Sequence, residues 1–405
     1  MKHLNLLLCV FLFISLTMQA QVWDGTSKKA FTGEGTAENP YLIESPEQLA
    51  YLAEQVNSGN NYEGKYFLQT VNLDLGSKEW SPIGTRGSAG GQDDSFNGNY
   101  DGGNKTISNL SMKTNSFGGL FGVIDNATIK HLGIESGKIE ATRVCGGIAG
   151  GGKESTIEYC YNKAEIITGN SYCGGILGAG GTTCIVNCCY NIGKVTGNYA
   201  AGIAYNCDEI KNCYNVGQIV GQTDSGGICV GANAVSNCYN ASSLSNVENV
   251  GNIFSTKFFS GTLSNNYYDK DLNKYKGGAI EDESGKMQGI STTDMKSGEI
   301  WSGYDADIWE FKAGSYPTLK VKETSTANEQ IKTKSGLKVY GSNLQITIQM
   351  EEPASATIYL SNMLGQILGK QSVNGNEVIM NVPSKGNYIV TVITTDRKES
   401  RKISL

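Results

Sequence analysis

Ten cysteines follow residue 20, and four of them, Cys160, Cys189, Cys213 and Cys238, open the same tripeptide, Cys-Tyr-Asn. Thiols can form disulfides, hold soft metals or act as nucleophiles, and each use demands its own company. Zinc sites favour Cys-x-x-Cys pairs or several histidines. No Cys-x-x-Cys occurs here; Cys184 and Cys188 are four apart, and Cys188 and Cys189 are adjacent. After residue 20 the only histidine is His131, so a Ser-His-Asp or Cys-His arrangement would have to use it. Recurrence of cysteine at equivalent places signals packing rather than one special nucleophile.

The other candidates are weaker. "DKDLNKYKGGAIED" opens like a calcium loop at Asp269, Asp271 and Asn273, but Lys274 stands where glycine is wanted and Ile280 where glutamate is wanted. A solvated loop is expected. Asp93 and Asp94 lie in the glycine-rich "GSAGGQDDSFNG" and read as loop polarity. "GGIAGGGKES" lacks the spacing of a phosphate-binding loop. His131, in "ATIKHLGI", takes a place where later repeats have Asn or Tyr, which favours packing. No catalytic, cofactor or metal site is therefore expected.

The elements that hold these residues follow from composition and spacing. There are 52 glycines in 405 residues, roughly twice the usual share, and only 6 prolines, which suggests many tight turns between short strands. The net charge of −6 offers no basic surface for nucleic acid. Residues 1–20 read as a signal peptide: a basic start, an apolar run from Leu6 to Leu16, and cleavage after Ala20. No later run is long enough to span a membrane as a helix.

A glycine-rich anchor recurs as "FGGLFG", "CGGIAG", "CGGILG", "AAGIAY", "SGGICV" and "VGNIFS", starting at Phe117, Cys145, Cys173, Ala200, Ser225 and Val250, in steps of 28, 28, 27, 25 and 25. Between anchors lie "GKIEA", "AEIITG", "GKVTG" and "GQIVG". A unit of short strands cannot bury its own core and must stack on copies of itself. This predicts an all-β chain, a parallel β-helix wound right-handed, with strands of successive turns about 4.8 Å apart. Equivalent residues then form columns. Cys160, Cys189, Cys213 and Cys238 would make one inward column, with Cys145 and Cys173 in another. Tyr161, Tyr190, Tyr214 and Tyr239 would stack on the opposite face. Asn162, Asn191, Asn215 and Asn240 would sit at a turn, bonding from turn to turn in a left-handed conformation. A mostly reduced ladder follows, because parallel side chains keep Cβ atoms farther apart than a disulfide prefers. Bridges among Cys184, Cys188, Cys207 and their neighbours stay open.

Solenoids need capped ends. Ser45, Pro46 and Gln48 open an amphipathic helix over 46–57, followed by strands near Tyr66 to Leu73 and an Asp-Gly-Gly turn at 101–103. A short helix in "TTDMKSGEIW" and two strands in "IWEFKAGSYPTLKV" close the other end. The expected organisation is a signal peptide at 1–20, a capped β-helix at 21–320 with repeats over about 117–270, a linker at 321–335, and a small β-sandwich at 336–405.

"GGLFG", "GGIAG" and "GGILG", with their I-x-N-C-Y-N segments, resemble the GLUG repeats of secreted surface proteins frequent in Bacteroidota, over roughly residues 38 to 320. "ATIYLSNMLGQIL", "VPSKGNYIVTV" and "RKISL" resemble the C-terminal sorting domain of the type IX secretion system, although its usual Pro-Asn-Pro is replaced by "KVYGSNL". The resemblance implies a secreted, surface-displayed, non-catalytic protein for adhesion or ligand binding. Its partners would be a host or environmental glycan or protein, with export and attachment machinery engaged through 336–405. The alternative is a carbohydrate-active enzyme, a polysaccharide lyase or hydrolase, or a glycan-binding β-helix.

Overall fold

The computed structural model describes residues 22–28, 30–87, 93–169, 171–181, 183–245, 248–255, 261–278, 282, 284–320, 337–342, 344–362, 367–382, 384, 387–394 and 398–404. The signal peptide and the linker expected at 1–20 and 321–335 lie outside the described residues. The chain divides into two units, Met1–Thr324 and Ser325–Leu405.

The first unit is a parallel β-solenoid of about eight turns. Its strands form one continuous 19-stranded sheet and two six-stranded sheets. The repeat explains the pairing. Ile139, Ile166, Val195, Ile219 and Leu244 register in one column. Ile129, Ile157, Val186, Ile210, Val235 and Leu263 register in another. All but Leu263 are buried, and the stacked aliphatics make one core along the axis. The expected first step slips locally: Gly118, not Phe117, registers with Cys145, while Phe121 registers with Ala149. One extra residue is absorbed within the anchor between those pairs.

The Gly-Gly and Cys-Tyr-Asn motifs belong together. A Cβ on Gly175 would lie 2.2 Å from the Gly202 carbonyl oxygen and 2.4 Å from Cγ of Asn191. Gly147, Gly202 and Gly227 stand the same way against Asn162, Asn215 and Asn240. The glycine at this position in the four middle anchors therefore leaves the room that a buried asparagine fills. Asn162 donates through Nδ2 to Asn191 Oδ1 at 2.9 Å, Asn191 to Asn215 at 2.9 Å, and Asn215 to Asn240 at 3.0 Å. In the last anchor Asn252 replaces the glycine and accepts from Asn240 at 3.3 Å, ending the ladder.

The left-handed position is not these asparagines but the residue before each cysteine of the Cys-Tyr-Asn column, and its equivalents in the turns on either side. His131, Tyr159, Cys188, Asn212, Asn237 and Asn265 all have φ between 48° and 57°. That turn takes the following amide away from a backbone carbonyl. Cys160, Cys189 and Cys213 instead donate their N–H to Sγ of the next cysteine, each at 3.4 Å, and Cys238 donates to Asn266 Oδ1 at 3.1 Å. The cysteine column is thus apolar filling that also accepts the amide each turn would leave unpaired. All ten cysteines are buried and unbridged. Burial pushes the thiols of Cys145, Cys189, Cys207 and Cys238 well up, Cys173 to about 12 and Cys184 to about 11.

At the N-terminal end the helix Pro46–Val56 starts at Ser45, whose side chain accepts from the Gln48 amide. The Gln48 side chain reaches Glu44 N–H at 2.7 Å rather than completing the box on Ser45. The Asp-Gly-Gly expected as a turn lies inside the strand Asn99–Ser108, where the register breaks between Asp101 and Lys105. "GGIAGGGKES" contributes the strand Ala149–Lys153, which pairs on both sides.

The C-terminal cap includes the helix Thr292–Met295 and the antiparallel pair Trp309–Glu310 and Thr318–Leu319. Asp269 is not in a solvated loop: it is 1% exposed and accepts from Thr292 Oγ1 at 2.7 Å and Tyr316 OH at 2.6 Å. Asp271 accepts from Thr292 N at 2.8 Å, and Asn273 donates to Ser242 O at 2.7 Å. These three side chains tie cap and last turns together. The failed calcium pattern concealed that use, since acids near a terminal turn serve either purpose.

The second unit is antiparallel. The strands Leu337–Ser342, Gln345–Asn362, Ile367–Asn381, Asn387–Thr394 and Lys398–Ser404 join one hydrogen-bonded sheet, with Gln345–Asn362 shared between three neighbours. Alternating Ile346, Ile348, Met350, Ile358 and Leu360 face its own core.

Candidate binding clefts

The described residues of the solenoid form two concave sites of note. The larger is a cleft of about 650 Å³ whose floor is Gly151, Gly152 and Ala179, small residues that keep the surface low. Phe117 forms a wall, its ring lying where a Cβ on Gly151 would be. Asp93, Asp94 and Asp125 line it together with Arg86 and Lys153. Asp93, read from sequence as loop polarity, instead binds the Arg86 guanidinium at 2.6 Å and the Gly87 N–H at 2.9 Å. Asp94 sits beside it, its backbone bridged to Thr85. Asp125 and Lys153 occupy the same column on adjacent turns, with Nζ 3.5 Å from Oδ2. The guanidinium carbons of Arg86 and Arg143 lie 5.6 and 5.7 Å from the Phe117 ring centre. Among the described residues no group of three His, Cys, Asp or Glu side chains is arranged to hold a metal ion.

The second site is a groove of about 370 Å³ between two columns. One wall is the tyrosine stack expected from the repeat. Tyr161, Tyr190, Tyr214 and Tyr239 lie ring on ring at 4.9, 4.8 and 5.0 Å between centres, within 10° of parallel. Each such contact adds about 0.5–1.5 kcal/mol to the area it buries. The other wall is the left-handed column: His131 stacks on Tyr159 at 5.4 Å, with Cys188 next. Asn104 and Lys105 lie at one end; Thr318, Leu319 and Lys320 of the cap lie at the other. Trp309 packs on Tyr214 and Tyr239 at 6.0 and 5.8 Å, covering that end of the stack. Tyr161 and Tyr190 are left half-buried.

His131 is 9% exposed, and its Nδ1 lies 3.1 Å from Asp101 Oδ1. Its Nε2 is buried and has no hydrogen-bond partner among the described residues. At Asp101 burial works upward, but hydrogen bonds from His131 and the Gly103 N–H, with the charges of His131 and Lys130, hold the carboxyl below its ordinary value. Glu135 is likewise held down, first by the Lys163 hydrogen bond at 2.6 Å, against burial, and then by the Tyr161 hydroxyl at 2.7 Å. The Tyr190 hydroxyl is pushed up to about 12 by burial and by Glu135, so it stays a neutral donor.

Sequence reasoning placed the stack and His131 but not the groove, whose Lys320 arrives from the cap. It missed the cleft as well. One signal was present: opposite charges one repeat apart, as in Asp125 and Lys153 or Glu135 and Lys163, both 28 residues.

Residues 325–398 match a family described as "Domain of unknown function (DUF6383)". A "Putative Gly-rich membrane protein" of Evansella cellulosilytica is 28% identical over 140 residues, which is 33% of this chain and 15% of that protein's length. No helix among the described residues is long and apolar enough to cross a membrane. A crystal structure from Bacteroides ovatus, of a "putative immunoglobulin A1 protease", superposes with a TM-score of 0.54 at 21% identity, covering 71% of this chain and 94% of that one. That likeness is one of fold.

Proposed function

We propose that this chain is an exported, surface-displayed ligand-binding protein that holds its ligand without transforming it, an adhesin of the GLUG-repeat type. One observation carries the reading: the groups able to act as acid, base or nucleophile are largely engaged or buried. Asp93 is on Arg86, Asp125 on Lys153, and His131 on Asp101 with Nε2 enclosed. All ten thiols are buried. Peptide hydrolysis, which the name of the Bacteroides ovatus protein would suggest, needs a nucleophile beside a base. His131 Nε2 meets no such group among the described residues. Export is supported by the apolar run Leu6 to Leu16 before Ala20, and attachment through 336–405 by the resemblance to a sorting domain. Ligands would be glycans or proteins of a host or the environment. Saturable binding of the purified chain to immobilised matrix proteins or glycans is the expected result. Binding to none of them would sink the reading.

A second reading, a carbohydrate-active enzyme, is favoured by the convergence of Asp93, Asp94 and Asp125 with Arg86 and Lys153 in one cleft. It predicts product release from a polysaccharide that Asp94→Asn or Asp125→Asn abolishes.

A further inference from the structure

We infer that the tyrosine groove is a subsite for an anionic sugar, one carrying a carboxylate or sulfate; this rests on the ligand-binding reading above. The stack is one continuous ladder with two fates. At its later end the cap seats Trp309 on Tyr214 and Tyr239, while Tyr161 and Tyr190 stand in the open groove. Because the rings stack face to face, an occupant meets their edges and hydroxyls. Ring edges carry partial positive charge and favour oxygen acceptors over another apolar face. The Tyr190 hydroxyl has no hydrogen-bond partner among the described residues and remains a donor.

Charge points the same way. The carboxylates around the groove are already matched: Asp101 by His131 and Lys130, Glu135 by Lys163. Lys105 and Lys320, at its two ends, have no carboxylate partner among the described residues; the Lys320 ammonium donates to the Ala306 carbonyl, which positions it without cancelling its charge. Two ammonium charges without a counter-charge, flanking ring edges and a hydroxyl donor, suit a ligand rich in acceptors and bearing negative charge. The volume of about 370 Å³ is at the small end of ligand clefts, fitting a short sugar segment rather than a folded partner.

The test is titration of the full chain with galacturonate oligomers, heparin-derived oligomers and uncharged maltopentaose, by calorimetry at low and moderate salt. Acidic oligomers should bind at least about tenfold more tightly than maltopentaose, with affinity falling as salt rises. The two acidic series tell carboxylate from sulfate. Lys105→Gln with Lys320→Gln should weaken binding at least about tenfold, and Tyr190→Leu should weaken it too, while Lys113→Gln, an exposed lysine that lines neither cleft, leaves it unchanged. Circular dichroism and melting confirm that the variants fold. Unchanged affinity in the double lysine variant, or equal binding of maltopentaose, would overturn the subsite and leave the ligand-binding reading standing. Cleavage of the bound oligomer would overturn that reading instead.

Discussion

The asparagine ladder allows a worked prediction. Asn191 is fully buried; it donates to Gly193 O at 2.8 Å and Asn215 Oδ1 at 2.9 Å, and accepts from Asn162 at 2.9 Å. Asn191→Ala removes all three bonds. Each is worth about 1 kcal/mol net, and a buried group left unpaired costs about 1–3 kcal/mol more. Asn162 keeps Ala164 O and Asn215 keeps the Gly217 N–H, so the carbonyl of Gly193 bears most of the additional penalty. The sum is about 4–6 kcal/mol. With a urea slope of about 3 kcal/mol/M, the midpoint should fall by about 1 M or more. Lys194→Ala is the control, since its pair with Glu165 at 3.7 Å is largely exposed and should cost about 0.5 kcal/mol or less. A loss under about 1 kcal/mol for Asn191→Ala would refute the ladder as a stabilising element.

Three further outcomes are expected. Gly175→Ala should cost at least about 2 kcal/mol in the same assay, because its Cβ would press on the Gly202 carbonyl, which cannot swing away as a side chain can. In the native protein fewer than one thiol per chain should react with a thiol-specific reagent over an hour, and all ten should react in denaturant; rapid native labelling of several would contradict the buried column. Because Asp101 is depressed, its contribution is complete above the carboxyl's unfolded pKa and fades as pH falls through the lower folded value. Asp101→Asn should therefore destabilise at pH 7 and flatten the acid limb below about pH 4, read from melting temperature against pH.

Much of the fold was legible because a solenoid places equivalent residues on top of one another. The spacing of Cys160, Cys189, Cys213 and Cys238 alone sets the tyrosine and asparagine columns beside them. The left-handed column was hidden, since its residue types change from His131 through Tyr159 and Cys188 to Asn212. Its regularity lies in backbone angle, which the letters do not carry. The clefts were hidden for another reason. Arg86 and Asp93 precede the regular repeats and Lys320 follows them, and only coiling brings these residues against Lys153 or Tyr190. Asp269 was misjudged because its partner Tyr316 lies 47 residues on, in the cap.

The central claim is that this solenoid binds without turnover. Its most direct test is prolonged incubation of the full chain with each ligand it retains, followed by mass measurement of the recovered ligand. Recovery of intact ligand, with no new reducing ends, unsaturated sugars or peptide fragments, is the predicted result. Products that accumulate with time and disappear in Asp94→Asn or Asp125→Asn would contradict it and make the charged cleft an active site.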